Sequence, residues 1–145
     1  MIYPHLPALA IAVRQPWIWA MQNLGKDIEN RDWSTKIRGS ICLHASKGMK
    51  DDEFANTYDF FVSTAEKLGL AKPSKGLVYE QCDHNRRGGI VATAEIVDCV
   101  TASESPWFFG DYGFVLANFQ PVDLIPVRGK LGFFDWRKRL IGGAA

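Results

Sequence analysis

The segment Gly25-Lys26-Asp27-Ile28-Glu29-Asn30-Arg31 holds the densest set of chemistry-bearing side chains in the chain. Glu29 and Arg31 stand two apart, so on a strand they share one face with their α-carbons about 6.5–7 Å apart. Lys26 beside them could bind a phosphate or a base, with the guanidinium as a bidentate fork and the ammonium as a point charge. Trp17 or Trp33 could stack a single-stranded or flipped base, a contact worth about 1–3 kcal/mol. The same groups permit hydrolysis by proton transfer, with a partly desolvated Lys26 or Glu29 as the acid or base and His44 assisting. A plainer reading makes them a solvated strand face with an ion pair worth about 0–1 kcal/mol.

Further candidates are more scattered. His44 lies in a strongly patterned segment and is either a ligand contact or a structural histidine on a strand face. Ser46-Lys47 just after it could reach a phosphate or cap the following loop. Arg128 and Lys130 flank Gly129 in a short basic loop, open to phosphate contact or to ordinary solvation. Glu95 sits among small and apolar neighbours, so it is either paired in a part-buried site, with Lys26 or Arg31 as partner, or at a wet strand edge. Cys82-Asp83-His84 offers two metal ligands with no second Cys/His pair at a useful distance, so no metal is expected. Cys42 and Cys99 read as core residues.

Composition sets the frame for these groups. The chain has 145 residues, 47 % hydrophobic and 23 % charged, which is ordinary globular usage and excludes a disordered tail, a coiled coil or a collagen repeat. Net charge is +1, so a basic footprint must be local. Two windows carry one: Lys26 to Lys50 has six Lys/Arg against three Asp/Glu, and Arg128 to Arg139 has five against one. No apolar run approaches the roughly 18 residues a membrane span needs, and the N-terminus lacks a signal-peptide pattern. A cytoplasmic, reducing setting is the expectation.

The elements that must position the candidates follow from periodicity. Ala8 to Val13 reads as a buried strand, and Pro16 opens a helix whose stripe is Trp17, Ala20, Met21 and Leu24, with Gly25 at its end. Trp19 falls off that stripe and either packs under a neighbouring loop or meets a ligand. Lys26 to Trp33 switches to period two, and Gly39 to Ala45 is a second strand, joined by a hairpin or a longer excursion. Asp51 to Leu68 is a helix with the stripe Phe54, Tyr58, Phe61, Ala65 and Leu68, ended by Gly69. Lys72 to Arg87 reads mostly as loop, so residues 49–87 form an excursion from a β scaffold. Gly88 to Val100, Tyr112 to Asn118 and Val122 to Val127 are extended, and Phe134 to Ile141 reads as a short helix. Strands and helices in no regular βαβ order suggest a small mixed barrel.

Gly25, Lys26, Glu29 and Arg31 resemble the GxKxxExR signature of the ASCH domain family, a branch of the PUA-like β-barrel superfamily. The flanks agree. Ala12-Val13-Arg14-Gln15-Pro16-Trp17 resembles the family's opening block, and Asn30-Arg31-Asp32-Trp33, Arg38-Gly39 and Leu43-His44-Ala45-Ser46 follow in order. Gly89 to Val97 is similar to the second-half strand, and Pro126-Val127-Arg128-Gly129 to the closing segment. The resemblance covers about residues 8 to 136. It implies a barrel with a cleft roofed by the first helix and lined by the signature, and a role with RNA or nucleotides. Some relatives are hydrolases, including an amidohydrolase on N4-acetylated cytidine that uses a Lys, a Thr three residues later and a more distant Glu. Here Lys26 matches the Lys, but Glu29 stands at the Thr position, so that mechanism does not transfer.

The combined expectation is an α+β chain, residues 1–145 as a single PUA-like mixed β-barrel of five to six strands with two main helices. Its cleft binds short or single-stranded RNA, or a nucleotide-like small molecule, through Gln15, Trp17, Lys26, Glu29, Arg31, His44, Ser46, Lys47 and Arg128, without a cofactor. The alternative is a hydrolase, a ribonuclease or an amidohydrolase on a modified nucleoside, using Lys26 and Glu29. A third reading, a protein-interaction module, requires the aromatic residues to form a flat exposed patch.

Overall fold

Period-two segments rich in β-branched and aromatic residues form strands here, and the longer apolar stripes form helices. A computed structural model of the chain describes residues 2–83 and 86–142. Its elements run β1 (Leu9–Val13), α1 (Trp17–Asn23), β2 (Ile28–Arg31), β3 (Gly39–Ala45), α2 (Asp51–Leu68), α3 (Lys75–Cys82), β4 (Gly89–Val100), β5 (Tyr112–Pro126) and β6 (Phe133–Asp135), with a 3-10 turn at Trp136–Arg139. The six strands make one mixed sheet in the order β2-β5-β4-β3-β1-β6, curled into a half-barrel. Only β1 and β3 run parallel, so a crossover must connect them, and α1 and β2 are that crossover. The segment from Lys26 to Arg31 is thereby carried across the sheet to its far edge, where β2 pairs with β5. Lys26 to Trp33 and Gly39 to Ala45 are therefore not a hairpin.

Ile11, Val13, Ile41, Leu43, Ala94 and Ile96 fill one face of the curled sheet. Ile18 and Met21 of α1 pack onto that core, while Trp19, Ala20 and Leu24 pack on its other side with Phe54, Tyr58 and Phe61 of α2, Val78 and Cys82 of α3, and Trp107. The helix is thus buried nearly all round, wider than its expected stripe. Trp19 is part of that packing: it is 9 % exposed and its Nε1 donates to Gln81 Oε1 at 2.7 Å. Helices α2 and α3 form a second layer over α1.

Several expectations need correction. Lys72 to Arg87 contains a third helix, α3, capped by Ser74 Oγ, which accepts from the Leu77 N–H at 3.4 Å. It carries only Val78 and Cys82 inward, too few apolar positions to make a visible stripe. Tyr112 to Pro126 is one bent strand, because register shifts against β4 and the positive φ of Asn118 absorb the irregularity that looked like a break. Phe134 to Ile141 divides into the end of β6 and the 3-10 turn. Leu68 is 42 % exposed, and Cys99 is only half-buried. No helix among the described residues is long and apolar enough to cross a membrane.

Close approach of β4 and β5 fixes one glycine. A Cβ on Gly89 would run into the Ile125 carbonyl and lie 2.8 Å from the Leu124 side chain. Gly89→Ala should therefore lose about 1–3 kcal/mol of stability, as overpacking does, read as a lower urea midpoint.

Candidate functional site

Gly25 ends α1 at a φ of +69°, a backbone that glycine adopts without cost, and the Lys26 N–H returns to the Ala20 carbonyl at 3.2 Å. That turn folds Lys26 beneath Trp17, its Nζ 5.4 Å from the ring centroid. The ammonium donates to the Ile28 carbonyl and to Glu29 Oε1 at 3.3 Å. Arg31 donates from Nε and Nη2 to Glu29 Oε2 at 3.1 and 2.8 Å, and Nη2 also donates to the Ala12 carbonyl at 2.6 Å. Arg31 also lies 5.9 Å from the Trp33 ring. The three side chains are 1, 12 and 19 % exposed in the order Lys26, Glu29, Arg31. Burial pulls the Lys26 ammonium below the usual lysine range, and the Glu29 carboxylate opposes that pull.

The signature residues thus converge with Trp17, on the same side of β2, but as a packed ion network instead of the wall of one wide cleft. A hollow of about 180 Å3 touches Lys26, and a separate one of about 240 Å3 touches Arg31. Both Glu29 oxygens already accept hydrogen bonds. Trp17 is half-buried and in ring contact with Phe60, Phe61 and Phe109. Trp33 packs edge-on against Phe114 and Phe133. Gln15 is also committed: Oε1 accepts from the Trp19 N–H at 3.0 Å, and Nε2 donates to the Arg86 carbonyl at 3.1 Å. Glu95 is not the expected partner of Lys26 or Arg31, since both cations pair with Glu29. Lys26, Glu29 and Arg31 keep the signature's spacing, whereas Gly25 adjoins Lys26 directly, one residue closer than the signature has it.

The remaining candidates lie together elsewhere. His44, Ser46, Lys47 and Arg128 line a cavity of about 670 Å3 at the ends of β3 and β5, with Arg87 and Lys130 as further cations. Apolar lining comes from Leu124, Pro126, Val127, Leu131 and Ile141, with Leu131 94 % exposed. The register sets Ala12 opposite His44, and Ala12 lines the cavity while its carbonyl takes the Arg31 bond. His44 is 2 % exposed, and its Nε2 bonds the Val127 carbonyl at 2.7 Å. A carbonyl only accepts, so Nε2 carries the proton and the partnerless Nδ1 is bare in the neutral ring. Gly129 lies against this imidazole, where a Cβ would be 3.0 Å from Cε1. The loop above it is tied down by Arg139, which donates to the Arg128 and Gly129 carbonyls, each at 2.9 Å.

Arg87 and the apolar wall escape a reading by motif. Arg87 stands in a polar run before β4, and only the fold carries it to the cavity, where it pairs with Asp83 at 2.7 Å and donates to the Lys47 carbonyl at 2.6 Å. A second hollow of similar size, about 650 Å3, lies near Ser40, Thr93 and Gln120 and has no Lys or Arg in its lining. Among the described residues, no group of three or more His, Cys, Asp and Glu could hold a metal ion. Cys82 is buried with its thiol pushed up to about 12, and His84 lies outside the described residues. No protein-family model matches the chain, and no curated protein matches it.

Two outcomes follow from this geometry. Arg31→Ala leaves Glu29 and the Ala12 carbonyl short of a donor, so it should cost about 2–4 kcal/mol, between an unsatisfied polar group and a broken buried pair. Chemical denaturation reads this, and an unchanged midpoint would assign Arg31 no structural role. His44 titrates below the usual histidine range because burial disfavours its charged form, with the Val127 carbonyl opposing. The unfolded chain takes up that proton near pH 6.5, before the folded chain does. Stability should therefore fall as pH drops below about 6.5 and be insensitive to this group above it. His44→Gln should flatten the wild-type slope between pH 7.5 and 5 in denaturation midpoints.

Proposed function

We propose that this chain is a cytoplasmic RNA- or nucleotide-binding protein of ASCH-like, PUA-like type, with its ligand seated in the cavity over His44. The observation that carries this reading is the joining of four cations, Lys47, Arg87, Arg128 and Lys130, with apolar wall residues around about 670 Å3. That volume lies within the range of small-molecule sites, and the mixed lining suits a ligand with a charged part and a ring. Four cations around one cavity, in a chain of net charge +1, favour a small ligand or a short single strand over a long duplex. The likeness of the Lys26–Arg31 segment and its flanks to the ASCH family supports the same class of ligand. In this reading the Lys26–Glu29–Arg31 network holds the strand that floors the cavity. The hydrolase alternative has less support, because Glu29 is largely buried and both of its oxygens already accept from Lys26 or Arg31. The interaction-module reading has less support, since Trp107, Trp136 and Phe61 are buried and the exposed rings of Tyr3, Tyr79 and Phe109 each pack against a different ring, Trp136, Phe54 and Trp17.

The test is titration of a labelled single-stranded RNA of a few nucleotides, and of free nucleotides, at low and physiological salt. Binding should be saturable. Lys47→Ala and Arg128→Ala should each weaken it by about 1–2 kcal/mol, the scale of a partly screened charge-assisted bond, without moving the melting temperature. No binding by any member of the panel, or equal binding by both variants, would remove the cavity from this role.

A further inference from the structure

We infer that the cavity takes the terminal phosphomonoester of a nucleotide, with the attached base or sugar against its apolar wall, in preference to the internal phosphodiesters of a running strand. This rests on the nucleotide-binding reading above and narrows it to one chemical class.

Charge is the first argument. Lys47 follows β3, while Arg128 and Lys130 belong to the loop after β5, and all three line the same cavity. None of the three has a carboxylate within ion-pair distance among the described residues, whereas Arg14, Arg31, Arg38 and Arg87 are each paired. A phosphomonoester carries about −1.5 to −2 charges at pH 7 and three acceptor oxygens. A diester carries a single charge, so three uncompensated cations around one space match the monoester.

Shape is the second. The floor is lined by Ala12 and by His44, a residue 2 % exposed with Gly129 against its ring. A strand that continues past the site needs a groove with cations along its path, and here the cations gather around a floored space. The floor itself is uncharged, because burial keeps the His44 imidazole in its neutral form, with Nε2–H donating to the Val127 carbonyl. Leu124, Pro126, Leu131 and Ile141 share the lining, so the remainder of the ligand meets apolar surface.

Preorganisation is the third. Arg139 grips the Arg128 and Gly129 carbonyls, and its own carbonyl accepts from the Arg128 N–H at 2.9 Å. The backbone bearing two of the three cations is therefore held before any ligand arrives, which lowers the ordering cost of binding.

The experiment is calorimetric titration of the full chain with uridine, uridine monophosphate and inorganic phosphate. Anisotropy with one short RNA, made with a 5′-phosphate and with a 5′-hydroxyl, completes it. The monophosphate should bind about tenfold or more tightly than the nucleoside, the scale of one or two charge-assisted bonds. It should also exceed inorganic phosphate, and the phosphorylated RNA should exceed the hydroxyl RNA. The double variant Arg128→Gln/Lys130→Gln, both positions exposed and its melting temperature checked against wild type, should erase the preference for phosphate. RNA binding that ignores the terminal phosphate would overturn this inference and leave the nucleotide-binding reading standing. Inorganic phosphate binding as tightly as the monophosphate would overturn the role of the apolar wall. Absence of binding across all five probes would overturn both.

Discussion

A sheet that curls without closing leaves two edges whose backbone groups need partners, and side chains must then hold the edges together. In this chain Arg31 does so. It stands on β2, at one end of the strand order, and donates to the carbonyl of Ala12 on β1, near the other end. Trp33, just beyond β2, extends the seam by packing on Phe133 of β6, and Phe133 stacks on Phe114 of β5. A guanidinium suits this task because its rigid fork can serve Glu29 and a backbone carbonyl at once.

That contact imposes conditions on its neighbours. Arg31 needs a carboxylate to remain charged in a part-buried seam, and Glu29 supplies it. Glu29 faces a fully buried lysine in turn, so the network carries two cations on one anion and depends on the Ile28 and Ala12 carbonyls to satisfy the surplus donors. Trp17 covers the ammonium with its ring and is itself wedged by aromatic residues of α2 and of the segment before β5. Such a buried pair adds little net stability compared with apolar packing, yet loss of one member leaves an uncompensated charge. The helical layer over α1 therefore serves the seam by excluding water from it.

The cavity lies against the same strand that Arg31 grips. Ala12 belongs to both features, lining the cavity while its carbonyl is fixed by the seam. The two sets of candidate residues thus divide: the signature segment closes the sheet, and the cations of three loops surround the space over His44. This division accounts for the proposed ligand seat without asking the Lys26–Glu29–Arg31 network to open.

Much of the scaffold was legible in the chain itself. Gly39–Ala45 and Asp51–Leu68 have the observed boundaries because period two and a four-three apolar stripe are local properties, and Gly25 after α1 and Gly69 after α2 mark helix ends by allowing positive φ. The grouping of Lys26, Glu29 and Arg31 was also legible, since residues two or three apart along a turn and a strand must be neighbours. Their burial was not, because it depends on Trp17, on the α2 layer and on the Ala12 carbonyl nineteen positions away in sequence. Nor was α3, whose two inward residues make no period, or the continuity of β5, whose irregularities are absorbed only by pairing with β4. The cavity was least visible of all. His44, Arg87 and Arg128 come from three separate stretches, and only the curl of the sheet and the return of the chain after β5 bring them around one space. Local pattern determines which elements form, but which side chains meet is decided by pairing and closure, because those contacts join residues that no window of sequence contains.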